Sequence, residues 1–352
     1  MSAPAALDER AAEHLDIGGV AVPAHFGDPA GEYEAARSAV GLMQRAGRAL
    51  FRIAGGDRAT FLQGLLTNDV VALQPGQGCQ ALFLDIKGHV RGALDLWATD
   101  DAIIAGCEPD FIDGVLPDLT KYVLAADVQA SDLRGEETVL ALVGPGADAA
   151  LARAGVVTPT DARGLCAATL GGVAVRVART EDLGAAGVEV HTPVAAVNEV
   201  WCALEQATGE SVPVYIGWNA AEALRLEAGV VRSGHEVSGE EFPQELRLDA
   251  AINYEKGCYL GQETVARIHY RGQVNRLLSG LRADSPLPVG AELISSGREV
   301  GRITSTAQSP RLGSIALAMV RREESEGGAA VEVHVDGSAV ADARVTGLPI
   351  ES

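Results

Sequence analysis

The sequence predicts an α+β body followed by a small all-β domain, a barrel or sandwich. Three observations carry that expectation. The chain has 352 residues, too many for one ordinary core, so two or three domains are expected. Up to about residue 275, segments of helical period alternate with short strand-like runs. From Arg276 onward only short alternating segments and turn signals remain.

Residues 1–26 read as a loose lead-in. A helix is expected from the N-cap Asp28 through "AGEYEAARSAV". "RALFRIAG" reads as a strand, and "DRATFLQGLLTND" as a helix capped by Asp57 with Phe61, Leu62, Leu65 and Leu66 on one face. A meander follows: Gln80–Ile86, a turn at Lys87-Gly88, His89–Ala98, a turn at Asp100-Asp101, then Ala102–Gly106. "PDFIDGVLPDLTKYVLA" reads as a helix in which Pro117 predicts a kink or break. "TVLALVGPGADAALARAG" gives a strand, a turn and a helix. Its Gly144-Pro145-Gly146 matches no phosphate-loop spacing, and Pro145 lacks an N–H that such a loop would use. "GVAVRVART" and "GVEVHTP" are short strands. "PVAAVNEVWCALEQATG" and "NAAEALRLEAG" are helices stopped by Gly209 and Gly229. In the tail, Asp336-Gly337 between "VEVHV" and "SAVADARV" marks a hairpin.

Composition limits the functions open to the chain. With 48 acidic against 28 basic residues the net charge is −20, which argues against direct nucleic-acid binding or adhesion to an anionic membrane. No run approaches the ~18 apolar residues of a membrane helix. The N-terminus lacks a basic start followed by an apolar run, so a cytoplasmic location is the expectation. The five cysteines are widely spaced and contain no CxxC pair, which gives no zinc site and no disulfide framework. Cys107, Cys166 and Cys202 sit in apolar neighbourhoods and read as core residues. Cys258 differs, lying in "KGCYLGQETVARIHYRG" between glycines and two residues after Lys256.

Here the order of motifs becomes recognisable. "LFRIAGGDRATFLQGLLTNDV", "VLALVGPGADAAL", "RTEDLGAAGVEV" and "ALRLEAG" resemble successive stretches of the folate-binding glycine cleavage T-protein (GcvT) superfamily. "KGCYLGQETVARIHYRGQVNR" resembles the signature of its YgfZ-type branch, which includes mitochondrial iron–sulfur assembly factors. The resemblance covers roughly residues 28 to 345. It implies a T-protein-like multi-domain ring around a folate channel: an α+β body of two intertwined subdomains over 27–275, and a C-terminal β-barrel over 276–352. It further implies tetrahydrofolate, or a one-carbon or polyglutamyl derivative, as ligand. The implied role is support of iron–sulfur cluster assembly or repair, with transient client or assembly proteins that include tRNA-modifying enzymes.

The resemblance also places the site residues. Glu189 falls where the superfamily's carboxylate accepts from the pterin's N–H edge; the competing plain reading is a solvated strand glutamate. Lys256, Arg267, Arg271 and Arg276 face one acid, Glu263, in their stretch, a local basic cluster suited to an anionic folate tail. Alternatively, those arginines pair with neighbouring acids. Tyr259 either packs on the pterin or fills the core. Cys258 is the catalytic candidate, with a thiolate favoured if Lys256 converges on it; a turn cysteine is the alternative. Where T-protein carries a pair of aspartates, one of them catalytic, this chain has Gly92 and Ala93. That departure argues against aminomethyl transfer in the T-protein manner. The rivals are a folate-dependent one-carbon (aminomethyl or methyl) transferase using Asp95 or Asp85, and an interaction module with a vestigial pocket.

Overall fold

A computed structural model describes residues 9–17, 20–123, 125–180, 182, 184–325 and 327–351. The chain starts with a hairpin of β1 (Glu13–Ile17) and β2 (Val20–His25). The expected lead-in is therefore structured over its described part. Its β1 is short and mostly exposed, with only Leu15 and Ile17 half-buried, too brief an alternation to mark a strand without its pairing to β2. Val22 and Ala24 are buried. α1 (Pro29–Ser38) begins as expected: the Asp28 carboxylate accepts the Gly31 N–H at 3.0 Å, and Pro29 occupies the first turn.

β3 (Gly41–Gln44) then enters one sheet, and the chain leaves at once for another. That second sheet collects β4 (Ala49–Ala54), β5 (Gly78–Leu84), β6 (Val90–Ala98), β7 (Ala102–Cys107) and β8 (Gln129–Asp132), in the order β5-β6-β7-β4-β8. It also carries α2 (Arg58–Gln63) and α3 (Pro109–Thr120). The chain returns to the first sheet with β9 (Glu137–Val143), α4 (Ala147–Arg153), β10 (Leu165–Leu170), β11 (Val173–Thr180), β12 (Gly187–Pro193) and α5 (Val197–Thr208). Its order is β10-β11-β12-β9-β3, so one edge strand precedes the whole second sheet in sequence.

Three expectations change here. α2 is shorter than its apolar face suggested, and Asp57 does not cap it; the Asp57 carboxylate accepts the Asp127 N–H at 2.9 Å instead. α3 runs through Pro117 and ends at Thr120. Cys202 lies exposed on α5, whereas Cys107 is buried and Cys166 half-buried.

α6 (Trp218–Ala228) is buried along Ala220–Glu227 and ends at Gly229 in the left-handed conformation. α7 (Gln262–Arg271) precedes a closed barrel of β13 (Arg276–Ala283), β14 (Glu292–Ser295), β15 (Arg298–Ser309), β16 (Gly313–Arg321), β17 (Ala330–Val335) and β18 (Ser338–Thr346). Asp336 and Gly337 both take positive φ, 49° and 76°, which is the turn their pairing predicted. Each sheet and the barrel has its own core. A further core joins them at the junction, where Leu82 and Leu84 of β5 and Leu226 of α6 meet Leu278 and Leu317 of the barrel.

Candidate functional site

At that junction lies a cavity of about 370 Å³, within the range of small-molecule sites. The loop after β3 contributes Arg45 and Arg48, β6 contributes Ala93 and Asp95, and the β11–β12 turn contributes Asp182. α6 adds Trp218, Glu222 and Arg225, and Leu348 and Pro349 close it from the barrel side. Strand period decides what β6 offers: Ala93 and Asp95 share a face on the cavity. Leu94 belongs to the core of the second sheet, on the opposite face. Gly92 lies on that opposite face too, where a Cβ would come within 1.8 Å of the Phe111 ring. No carboxylate fits there.

Six arginines and four carboxylates line the wall, in a chain whose overall charge is strongly negative. Asp95 is 3% exposed and accepts from both Arg48 Nη2 and Arg163 Nη1. The same two guanidiniums approach Asp182 at 3.5 Å. Burial, then the charge of Asp182, pushes the Asp95 carboxyl up to about 7, against the pull of the two arginines. For Asp182 burial also opposes ionisation, but the hydrogen bond from Asp95 and the charges of Arg48, Arg163 and Arg45 outweigh it and hold it low. Of the two, Asp95 is thus the carboxyl that binds a proton more readily and Asp182 the one that ionises more readily. Glu222 accepts from Arg225 and from Arg232, whose guanidinium lies 4.4 Å from the Trp218 ring centroid.

The Asp95 shift has a sign. Its carboxyl binds a proton more tightly in the folded than in the unfolded chain. The resulting stability is full below the unfolded pKa of 3.8 and is lost as pH rises through about 7. Relative to Asp95→Asn, the wild type should lose stability between those values, with a slope of up to about 1.4 kcal/mol per pH unit. Urea unfolding across that range checks this. Parallel stability profiles for the two proteins would mean that Asp95 ionises normally.

The sequence-derived site residues divide. Glu189 is fully buried on β12 and is absent from the cavity wall. It accepts from Arg45, has Arg48 Nε at 3.3 Å, and its Oε2 lies 3.2 Å from His191 Nε2. Burial works against its ionisation, yet Arg48, Arg45 and His191 hold it well below the usual carboxylate range. It is neither the solvated strand residue nor a wall residue. Lys256 leaves the proposed basic cluster: its ammonium donates to the carbonyls of Gln63, Leu66 and Asn68 at 2.8, 2.6 and 2.8 Å. It is thereby committed away from any role in activating Cys258. Tyr259 fills the junction core; its hydroxyl has no hydrogen-bond partner among the described residues, and burial pushes it up to about 12. Cys258 is exposed. Arg267 and Arg271 are exposed on α7, without an ion pair among the described residues. None of these four residues belongs to the cavity wall. Asp85 sits at the β5–β6 turn, accepting the N–H groups of Lys87 and His89, away from the central cavity. Sequence reasoning missed Arg45, Arg48, Arg163 and Asp182, which come from loops with no periodic signal. Glu181 and Leu183, beside Asp182 in the "RTEDLGAAGVEV" motif, lie outside the described residues.

Fold and cavity together define a class of protein in which two interleaved antiparallel sheets and a closed C-terminal barrel enclose a charged cavity at their junction. Residues 4–256 match the GCVT N-terminal domain, and residues 276–350 match the glycine cleavage T-protein C-terminal barrel domain. The chain belongs to the glycine cleavage T-protein family. An aminomethyltransferase of Mycobacterium leprae (strain Br4923) is 30% identical over 338 residues, covering 94% of this chain and 91% of that protein. One from Bacillus subtilis (strain 168) is 28% identical over 331 residues, covering 91% and 90%. The crystal structure of glycine cleavage system aminomethyltransferase T from Bartonella henselae superposes with a TM-score of 0.84 at 22% identity, covering 98% of this chain and 95% of that one. At that identity the likeness concerns the fold. Among the described residues no helix is long and apolar enough to cross a membrane.

Proposed function

We propose that the central cavity binds tetrahydrofolate and that the chain is a folate-dependent one-carbon transferase in which Asp95 handles the proton. The observation that carries this is a buried carboxyl, Asp95, held by Arg48 and Arg163 beside Asp182 on the wall of an arginine-lined cavity. It stands in a chain 30% identical to a protein named aminomethyltransferase. The residues present fit the ligand. Arginines suit its anionic tail, and an ionised carboxylate suits the N–H edge of its pterin. When bound, tetrahydrofolate supplies the nitrogen that carries the one-carbon group. Asp95 holds or releases a proton at its carboxyl, while Arg48 and Arg163 fix its orientation.

A second reading is favoured by two observations. Ala93 brings no carboxylate to the position that resembles the T-protein aspartate, and Cys258 stands exposed beside Gly257, around which space is open. On that reading the chain binds tetrahydrofolate and supports iron–sulfur cluster assembly or repair in client enzymes, tRNA-modifying enzymes among them, through the surface that bears Cys258. The YgfZ-like signature supports it.

Calorimetric titration with tetrahydrofolate tests what the readings share. A methyl- and aminomethyl-transfer assay then separates them. Asp95→Asn should slow transfer about 100-fold or more while binding persists. Binding without any transfer by the wild type, together with failure of Cys258→Ser to support iron–sulfur enzymes in cells lacking the native protein, would select the second reading.

A further inference from the structure

We propose that the outward face of α7 is a docking site for an acidic segment of a partner protein, with Tyr270 as its aromatic anchor and Arg267 and Arg271 as the groups that hold the partner's carboxylates. The inference goes beyond both readings above. It needs neither chemistry in the central cavity nor a role for Cys258.

Helical spacing defines the face. Val265 is the buried residue of α7 and joins the junction core. Glu263, Arg267, Tyr270 and Arg271 are exposed. Residues three and four positions apart are neighbours on a helix, so Arg267, Tyr270 and Arg271 stand side by side, away from Val265. Tyr270 is 66% exposed, yet its ring is not loose. It meets the His269 ring edge-on with centroids 4.8 Å apart, and the Tyr254 ring at 6.3 Å. Tyr254 and His269 stack on each other at 3.7 Å, and the Tyr254 hydroxyl donates to Asp249 at 2.8 Å. The anchor is thus held in place before anything binds, which lowers the cost of ordering it.

The two guanidiniums are uncommitted. Neither has an ion pair or a hydrogen bond among the described residues. Glu263 precedes Arg267 by four positions, the spacing of a helical ion pair, but the two are not joined. Such a pair is weak and readily exchanged for a better one. The acids beside the face are engaged: Asp249 accepts from Tyr254, and Glu245 lies 3.4 Å from Arg276. A helix C-terminus favours a nearby cation, which accounts for Arg271. It leaves Arg267 and the exposed ring unexplained, and it sets two like charges four positions apart, where they repel until an anion lies between them.

The chemistry of the occupant follows from charge and size. In a chain of net charge −20, two adjacent unpaired guanidiniums focus a local positive field that attracts acids. Each offers a planar fork that matches a carboxylate in two hydrogen bonds. Tyrosine and arginine together are the composition of interface hot spots. The patch spans about one helical turn, roughly 5 Å. That is too short to track the phosphates of a nucleic-acid strand, which takes a positive groove over several nucleotides. It fits a peptide segment whose carboxylates flank one apolar or aromatic side chain.

The test uses the full chain and a fluorescent peptide in which glutamates flank a central tryptophan, with a glutamine-for-glutamate peptide as control, read by anisotropy. The wild type should bind the glutamate peptide at least about 10-fold more tightly than the control, and added salt should weaken that binding. Tyr270→Ala, and separately Arg267→Gln with Arg271→Gln, should each weaken it about 10-fold. Glu263→Gln should strengthen it about twofold, because it removes the acid that competes for Arg267. All four positions are exposed, so urea stability should stay near that of the wild type and the variants remain readable. Failure of the wild type to bind the glutamate peptide overturns the proposal, as does equal binding by the Tyr270 and arginine variants. A single-stranded oligonucleotide bound more tightly than the peptide through the same three residues overturns it in favour of nucleic acid.

Discussion

Arg48→Ala is expected to lower folding stability by about 3–5 kcal/mol, the range seen when one partner of a buried ion pair is removed. Arg48 is 6% exposed and serves three acids at once: Asp95, Asp182 and Glu189. It also lies 5.7 Å from the Trp97 ring centroid. Alanine would leave those acids to Arg45, Arg163 and the His191 ring, all three acids being largely buried. The penalty should depend on pH with a definite sign. Arg48 and Arg45 depress the folded pKa of Glu189, so its stabilising contribution is present above about pH 4.5 and is lost as pH falls toward the folded value. The gap between wild type and variant should therefore narrow on acidification, as the stranded acids take up protons. Urea unfolding at two pH values reads both effects. A loss below about 1 kcal/mol at neutral pH would place Arg48 among ordinary surface ion pairs.

What the sequence revealed, and what it hid, follows from the range of the interactions involved. The β17–β18 hairpin was legible because Asp336-Gly337 writes its turn into two adjacent residues. The start of α1 and the stops of α5 and α6 were legible for the same reason, being set by a cap or a glycine in place. β3 was not: four residues long, it becomes a strand only by pairing with β9, about a hundred positions later. The interleaving of the two sheets was hidden with it. In the site, Asp95 was legible as the period-2 companion of Ala93. Arg48 and Arg163 were not, because they enter from loops more than a hundred positions apart and meet across Asp95 and Asp182.

The Lys256–Gly272 signature sorts itself by burial into two sets. Gly261, with φ of 79°, sits on the β5–β6 turn, where a Cβ would come within 2.5 Å of the Asp85 carbonyl oxygen and 3.0 Å of Gly88 Cα. Tyr259 and Val265 fill the junction core. These residues are explained by packing. Cys258, Arg267 and Arg271 are exposed, and no packing argument accounts for them; Tyr270 is exposed too, but its ring meets Tyr254 and His269 edge to face. Any function carried by the signature apart from folding must act through that outward set, which is a surface rather than the central cavity. This is why the cavity and the signature support separate readings.

Lys256→Met tests that division, and its expected effect is also large. The Lys256 ammonium has three N–H donors and meets three carbonyls, those of Gln63, Leu66 and Asn68. The first of these ends α2, a helix of six residues whose last carbonyls need partners from outside. The neighbouring backbone reinforces the join: Asn253 N–H donates to the Thr67 carbonyl at 3.0 Å, and Leu260 N–H to Gly64 at 3.1 Å. One side chain thus fastens the signature loop to a segment about 190 positions earlier. Methionine fills comparable volume but donates nothing, leaving part-buried carbonyls unpaired at roughly 1–3 kcal/mol for each one that water does not reach. A net loss of about 3–5 kcal/mol is expected, read by urea unfolding, since three carbonyls lose a charged donor together. Tetrahydrofolate affinity, measured under conditions where the variant stays folded, should change by no more than about twofold, because Lys256 touches no part of the cavity wall. A variant of native stability that loses affinity for the polyglutamylated ligand would return Lys256 to the basic cluster. It would also require the ammonium to leave its three carbonyls.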